Sequence, residues 1–186
     1  MGEINKNRER VTSDFGSRLI TVRFEDYPPL AFRALQQFMQ RLEKDYPERN
    51  FKILYWVLLN PLKSGFHLVA HIAYDEDKTV GIAVGDRNLD RFDVKLCVID
   101  PQYQNGTVAK QIMDQVFQNN NKVILEAAEF GGRSSLTRDQ KAKRQQALIA
   151  YYQKLGFKPN IPNSKIYKFD PGKTLPMVWE KKDGDV

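Results

Sequence analysis

The sequence holds one cysteine, Cys97, in 186 residues, so no disulfide can form within the chain and a four-cysteine zinc site is excluded. Histidine is nearly as scarce. The two present, His67 and His71, lie in the β-type run from Phe66 to Ala73, where they share one face as polar residues of a sheet. Four strand steps separate them by roughly 13 Å, too far to chelate one ion, so no metal is expected. Long apolar runs are also missing: the longest, Ile53 to Leu59, is far below the ~20 residues a membrane-spanning helix needs. The opening Met1-Gly2-Glu3-Ile4-Asn5-Lys6 has neither a signal-peptide apolar segment nor the Ser or Thr of a myristoylation site. The expectation is a soluble, cytoplasmic protein with no membrane partner.

What is present is ordinary for a globular chain. A content of 41% hydrophobic and 28% charged residues excludes collagen-like, low-complexity and wholly disordered classes. The length suits one domain, two at most. The net charge of +6 is unevenly spread: Gly131 to Lys168 carries +8 and the remainder −2. A segment of that sign suits an anion, whether the phosphates of a small cofactor, an RNA backbone or an acidic substrate; a solvated helix face has the same composition.

Residues 1–17 are polar and read as a loose tail, 18–181 as one domain, and 182–186 as a polar end. Leu19 to Phe24 alternates as a strand. Ala31, Leu35, Phe38, Met39 and Leu42 fall on one helical stripe that ends before Pro47. Phe51 to Leu59 is too short for periodicity to separate strand from helix. Phe66 to Tyr74 and Thr79 to Val84 flank the turn Asp75-Glu76-Asp77-Lys78 as a hairpin, and Asp93 to Ile99 reads as a further strand. Val108, Ala109, Ile112, Met113, Val116 and Phe117 mark a second helix, Lys122 to Phe130 a strand, and Asp139 to Leu155 a third helix stopped by Gly156. Short strands follow near Ile166 to Phe169 and Met177 to Glu180. This order gives a mixed α/β (α+β) class with strand-helix-strand crossovers in its second half.

The junction Ile99-Asp100-Pro101-Gln102-Tyr103-Gln104-Asn105-Gly106-Thr107-Val108-Ala109 takes a strand through a turn into a helix start. Backbone N–H groups and the positive end of a helix dipole converge there, as a phosphate site requires. Together with Tyr151-Tyr152-Gln153-Lys154-Leu155-Gly156-Phe157, this stretch resembles the GNAT superfamily of acyl-CoA-dependent N-acyltransferases, and the order of elements from Leu19 to Phe169 agrees.

The resemblance implies a central mixed, mostly antiparallel sheet flanked by helices and splayed between its fourth and fifth core strands. It implies transfer of an acetyl group from acetyl-CoA to a primary amine on a small molecule or protein. In the family a Q/R-x-x-G-x-G/A loop wraps the cofactor's pyrophosphate. Gln104 and Ala109 fit its ends, with Asn105, Gly106, Thr107 and Val108 between, and Thr107 replaces the central glycine. There a Cβ crowds the phosphates or a hydroxyl adds a hydrogen bond. The backbone of Val98 and Ile99 would pair with the pantetheine arm. Gln145 stands where the family often keeps a cofactor-touching asparagine, roughly 10.5 Å up the helix from Tyr152; a packing role is its simpler reading. Tyr152 stands where the family places a tyrosine that protonates the departing thiolate. Asp93 matches its catalytic base, with Glu126 and Glu129 as competing carboxylates. Tyr151 and Tyr152 also suit a packed core, and Cys97 reads as a small apolar residue. The alternative function is a binding module of the same fold, without catalysis, that engages nucleic acid or an acidic partner through residues 131–168. Neither the acceptor's identity nor the oligomeric state is legible.

Overall fold

Ala31, Leu35, Phe38, Met39 and Leu42 are all buried, and the helix that carries them is α1 (Pro29–Asp45). The computed structural model describes residues 19–24, 29–47, 68–89, 91–104, 106–127, 136–161 and 174–182. Its strands are β1 (Leu19–Phe24), β2 (Leu68–Asp75), β3 (Lys78–Asn88), β4 (Arg91–Ile99), β5 (Lys122–Ala127), β6 (Lys158–Pro159) and β7 (Leu175–Glu180). The other helices are α2 (Thr107–Gln118) and α3 (Arg138–Lys154), with a 3-10 turn at Pro101–Tyr103. The tail expected over 1–17, the ambiguous Phe51 to Leu59 segment, His67, Glu129 and the strand expected near Ile166 to Phe169 lie outside the described residues. The short β6 was not anticipated: its two residues carry no periodicity.

Among the described residues, seven strands form one sheet in the order β1-β2-β3-β4-β5-β7-β6. All neighbours are antiparallel except β4 and β5, which run parallel and are joined by the crossover helix α2. On one face, α1 packs against Leu68, Ala70, Ile72, Ile82, Val84, Leu96 and Val98. The opposite face is covered by α2 and α3, through Ile112, Met113, Val116 and Tyr152 among others.

Two irregularities shape the middle of the sheet. In β4 the register steps from Val84↔Leu96 to Gly85↔Val94, so Lys95 is an extra residue. A bulge of one residue reverses which side chains face which side. Phe92 and Val94 accordingly pack toward α2, whereas Leu96 and Val98 beyond the bulge pack toward α1. Gly85 makes this possible, because a Cβ there would stand 2.4 Å from Phe92 Cζ. The second irregularity is a divergence: β4 pairs with β5 only as Arg91↔Lys122, Phe92↔Val123 and Asp93↔Ile124, and then continues to Ile99 away from it.

His71, expected as a polar residue on a sheet face, is fully buried against Phe92, their rings 5.5 Å apart edge to face. Gln115 Nε2 donates to Thr21 O at 3.0 Å, which turns its Oε1 toward His71 Nδ1, also at 3.0 Å. Nδ1 therefore carries the proton, as a donor to that oxygen, and Nε2 is buried without a partner among the described residues.

A carboxylate ties α1 to the end of β4. Asp100, 1% exposed, accepts from Arg41 Nη2 at 2.9 Å, from the Tyr46 hydroxyl at 3.2 Å and from the Gln102 N–H at 3.0 Å. Arg41 also donates to Thr79 O at 2.6 Å, and Lys78 Nζ stands 3.6 Å from the same carboxylate.

Two consequences are measurable. Burial lowers the His71 pKa from 6.5 to about 4. Above pH 6.5 neither folded nor unfolded chain protonates this imidazole; between 6.5 and 4 only the unfolded chain does. Stability therefore falls as pH drops through that window, by roughly 3 kcal/mol in total. Denaturant titrations of the protein and of His71→Gln across pH 4 to 7 should show the slope only in the former; parallel profiles contradict the assignment. For the second, Asp100→Ala strips Arg41 of its buried partner and should cost about 2 to 3 kcal/mol in urea unfolding. Lys78→Ala, which removes a longer and more exposed contact, should cost under about 1 kcal/mol.

Candidate active site

The turn after β4 is built from its own side chains. Asp100 caps the 3-10 turn through Gln102 N–H, Pro101 sets its first residue, and the Tyr103 hydroxyl donates to Asp75 Oδ2 at 2.6 Å. Gln104 folds back, its Nε2 3.3 Å from Ile99 O. Gly106 then takes φ +93°, a left-handed conformation open to glycine, and serves as N-cap of α2 without any side-chain cap. The first helical bond runs from Lys110 N–H to Gly106 O at 2.9 Å, so the N–H groups of the first turn precede it. Gly81 lets this helix start approach the sheet, since a Cβ there would lie 2.9 Å from Val108 Cγ1.

The motif's departure at Thr107 does not strain the turn. The left-handed residue is Gly106, one position earlier, so the turn does not require glycine at Thr107, whose side chain is exposed at the first helical position. Val108 is buried and Ala109 half-buried, and only their backbone can face a ligand at the helix start. Asn105 lies outside the described residues.

Where β4 leaves β5, strand geometry decides which backbone groups are open. Asp100 N–H donates to Val80 O, which makes Gly81↔Ile99 a non-hydrogen-bonded pair and directs the polar groups of Val98 to Ile82. Those of Ile99 and Cys97 point away from β3, toward the divergence. The pairing edge expected at Val98 and Ile99 thus falls on Ile99 and Cys97. The side chain of Val98 is buried against α1. Cys97 is partly buried, and burial pushes its thiol pKa up to about 12, so it remains protonated.

Asp93 sits at the foot of the divergence, as the last residue of β4 paired with β5. One oxygen, Oδ2, accepts from Arg91 Nη2 at 2.8 Å; the other, Oδ1, is buried without a hydrogen-bond partner among the described residues. Glu126 is exposed on β5. Val123, Leu125 and Ala127 face α2 and α3, so alternation puts Ile124 and Glu126 on the α1 side, with Asp93. Asp86, directly across β3 from Asp93, joins them there, a carboxylate that sequence reasoning missed because only the register reveals it.

The tyrosines occupy the other side. α3 opens on a capping box, Thr137 Oγ1 accepting from Gln140 N–H at 3.2 Å and Gln140 Oε1 from Thr137 N–H at 2.9 Å. It closes at Gly156, φ +92°, where Phe157 N–H donates to Tyr152 O at 3.1 Å and Gly156 N–H to Gln153 O at 3.0 Å. That pair of bonds makes Tyr152 the third residue from the helix end, and its ring packs on Phe157 with centroids 5.5 Å apart. The interval from Tyr152 to Gly156 is therefore fixed by helix termination. Burial first, then Cys97 and Tyr151, hold the Tyr152 phenol far above the usual range, fully protonated. Gln145 is buried two turns earlier and donates from Nε2 to Ala127 O at 3.2 Å, fastening α3 to the end of β5.

The structure thus gathers the turn, the open edge of β4, Asp93, and Tyr152 with Gln145 around one divergence, with carboxylates and tyrosines on opposite faces of the sheet. Among the described residues no three His, Cys, Asp or Glu side chains are grouped to hold a metal, and no helix is long and apolar enough to cross a membrane.

Comparison with known proteins bears on the fold and the family. No curated protein matches the sequence. Among solved structures, an acetyltransferase from Streptococcus agalactiae superposes with TM-score 0.56 at 14% identity, over 89% of this chain and 99% of that one. The ribosomal-protein-S18-alanine N-acetyltransferase of Escherichia coli gives 0.51 at 15%, over 90% and 99%. The aminoglycoside 6'-N-acetyltransferase of Enterococcus faecium gives 0.52 at 14%, over 87% and 96%. Identities this low establish the fold. The model of the acetyltransferase (GNAT) domain matches residues 65–159, from before β2 to the end of β6, so the chain belongs to the GNAT acetyltransferase family.

Proposed function

We propose that this protein transfers an acetyl group from acetyl-CoA to a primary amine by direct attack. The observation that carries the reading is the divergence of β4 from β5, with a helix start at its open end, a carboxylate on one face and a buried tyrosine on the other. The residues present fit the cofactor. First-turn N–H groups of α2, at Thr107, Val108 and Ala109, accommodate its diphosphate behind the left-handed Gly106. The outward N–H of Ile99 and the outward backbone groups of Cys97 offer hydrogen bonds to the amides of its pantetheine arm, in the manner of an added strand, while Ile99 O already accepts from Gln104 Nε2. Gln104 and Gln145 border that path. When bound, acetyl-CoA supplies an activated acyl thioester.

The remaining work belongs to the chain. An amine is protonated at neutral pH and must lose its proton before attack. Asp93 takes it, directly or through water; what supports this is its position at the foot of the divergence on the α1 side, with one oxygen unpartnered among the described residues. Glu126, exposed further along β5, is the weaker candidate. Tyr152 donates to the departing sulfur from the opposite face, a role supported by burial that keeps its phenol protonated. Carboxylate and phenol thus act from two sides of one cleft, and positioning supplies most of the acceleration. The amine enters over α1. That several GNAT structures of this fold bear the names of enzymes acting on a ribosomal protein, spermidine and aminoglycosides supports an amine acceptor, small-molecule or protein.

Acetyl-CoA at about 100 times its Kd should stabilise the protein by about 2.7 kcal/mol, read as a raised thermal midpoint. No shift at millimolar acetyl-CoA refutes the reading and leaves the binding-module alternative. With an accepted amine and free-thiol release as the assay, Tyr152→Phe and Asp93→Asn should each slow turnover by about 10² to 10⁴. A larger loss in Glu126→Gln than in Asp93→Asn would move the base to β5.

A further inference from the structure

Asp100 lies where the end of β4, the start of β3 and the last turns of α1 meet. Its Oδ1 accepts from the Gln102 N–H at 3.0 Å and from the Tyr46 hydroxyl at 3.2 Å, and its Oδ2 from Arg41 Nη2 at 2.9 Å. Arg41 is itself held. The same Nη2 donates to Thr79 O at 2.6 Å, and the guanidinium carbon lies 5.3 Å from the centre of the Phe38 ring, one turn back on α1. Lys78, at the start of β3, approaches the carboxylate to 3.6 Å and stands 5.5 Å from the centre of the Tyr103 ring.

The charge at this position needs a reason. An asparagine oxygen would accept from Gln102 and Tyr46 as well, and burying a carboxylate is costly. What the charge adds is a strong, directed bond to a guanidinium on a different element. A buried ion pair contributes little net stability over packed apolar groups, and its best-attested use is to fix one arrangement. The arrangement fixed here is the turn after β4. Pro101 has no N–H, so Gln102 offers the first donor of the 3-10 turn, and Asp100 takes it. Tyr103 N–H then donates to Asp100 O at 2.8 Å and its hydroxyl to Asp75, and a few residues later Gly106 opens α2 without a side-chain cap. The uncapped helix start takes its place from the turn, and the turn from Asp100.

We propose that Asp100 is a positioning residue for the cofactor: by fastening the turn to Arg41 of α1, it holds the start of α2 in the arrangement that receives the diphosphate of acetyl-CoA. The proposal rests on the transferase reading, and in it Asp100 and Arg41 act through the turn, not on the ligand.

Calorimetric titration of the full chain, Asp100→Asn, Arg41→Met and the double variant tests it, with coenzyme A and adenosine 3′-phosphate 5′-diphosphate as probes. Asparagine keeps an acceptor for Gln102 and methionine keeps a stem over Phe38, but each substitution removes the ion pair. Each single variant should bind both probes about tenfold more weakly, and the double variant about tenfold rather than about a hundredfold, since one link is broken in all three. In steady-state assays KM for acetyl-CoA should rise about tenfold, with kcat at saturating acetyl-CoA within about twofold of the unaltered protein. A merely structural role gives the opposite split: fewer folded molecules, read as a lower binding stoichiometry and a lower kcat, with Kd and KM unaltered. That result, losses that multiply in the double variant, or a loss confined to coenzyme A overturns the proposal and leaves the transferase reading standing. Should Asp100→Asn not fold, Arg41→Met decides alone, because Arg41 lies on α1 and not in the turn. Failure of the unaltered protein to bind coenzyme A overturns both.

Discussion

The parallel pairing of β4 with β5 ends at Asp93 and Ile124, and the candidate site exists because it ends there. A sheet that kept pairing would consume the backbone groups of Cys97 and Ile99 in a ladder and close the path between its two faces. A sheet that parts leaves an edge inside the molecule, with hydrogen-bonding groups that want an extended partner. The bulge at Lys95 works in the same region, turning Phe92 and Val94 toward α2 while sending Leu96 and Val98 toward α1. One strand thus anchors two cores and still presents an open edge.

The ends of that edge are held by different devices. At the turn, a buried carboxylate gathers an arginine, a tyrosine and a backbone N–H, so the geometry of the helix start is tied to α1. At the far helix, termination at Gly156 fixes where Tyr152 points, and the Gln145 amide fastens the helix to β5. Both devices set distances among groups drawn from separate segments of the chain.

Much of the frame was legible in the chain. The stripe Ala31, Leu35, Phe38, Met39 and Leu42 is buried as its spacing implied, the hairpin turns at Glu76 and Asp77, and the motif that ends in Gly156 lies at a helix end with the left-handed residue its type suggests. These are local signals, written in residues a few positions apart. His71 shows where such signals stop: alternation gave its face, but whether that face is wet or dry depends on α2 packing over it, with Gln115 arriving from a helix far along the chain. The partnership of Arg41 with Asp100 and the register of Asp86 against Asp93 were invisible for the same reason.

Local pattern in the chain encoded the helices, the strands other than β6, and a strand-turn-helix junction, because periodicity, capping residues and glycines act within a turn or two of the backbone. Long-range packing set the rest: that β4 parts from β5, that Ile99 and Cys97 rather than Val98 face the gap, that the left-handed turn residue is Gly106 and not Thr107, and that Tyr151 and Tyr152 face different neighbours. A hydrogen-bond register joins residues far apart along the chain, and a single bulged residue reverses its parity, so no local pattern can encode it.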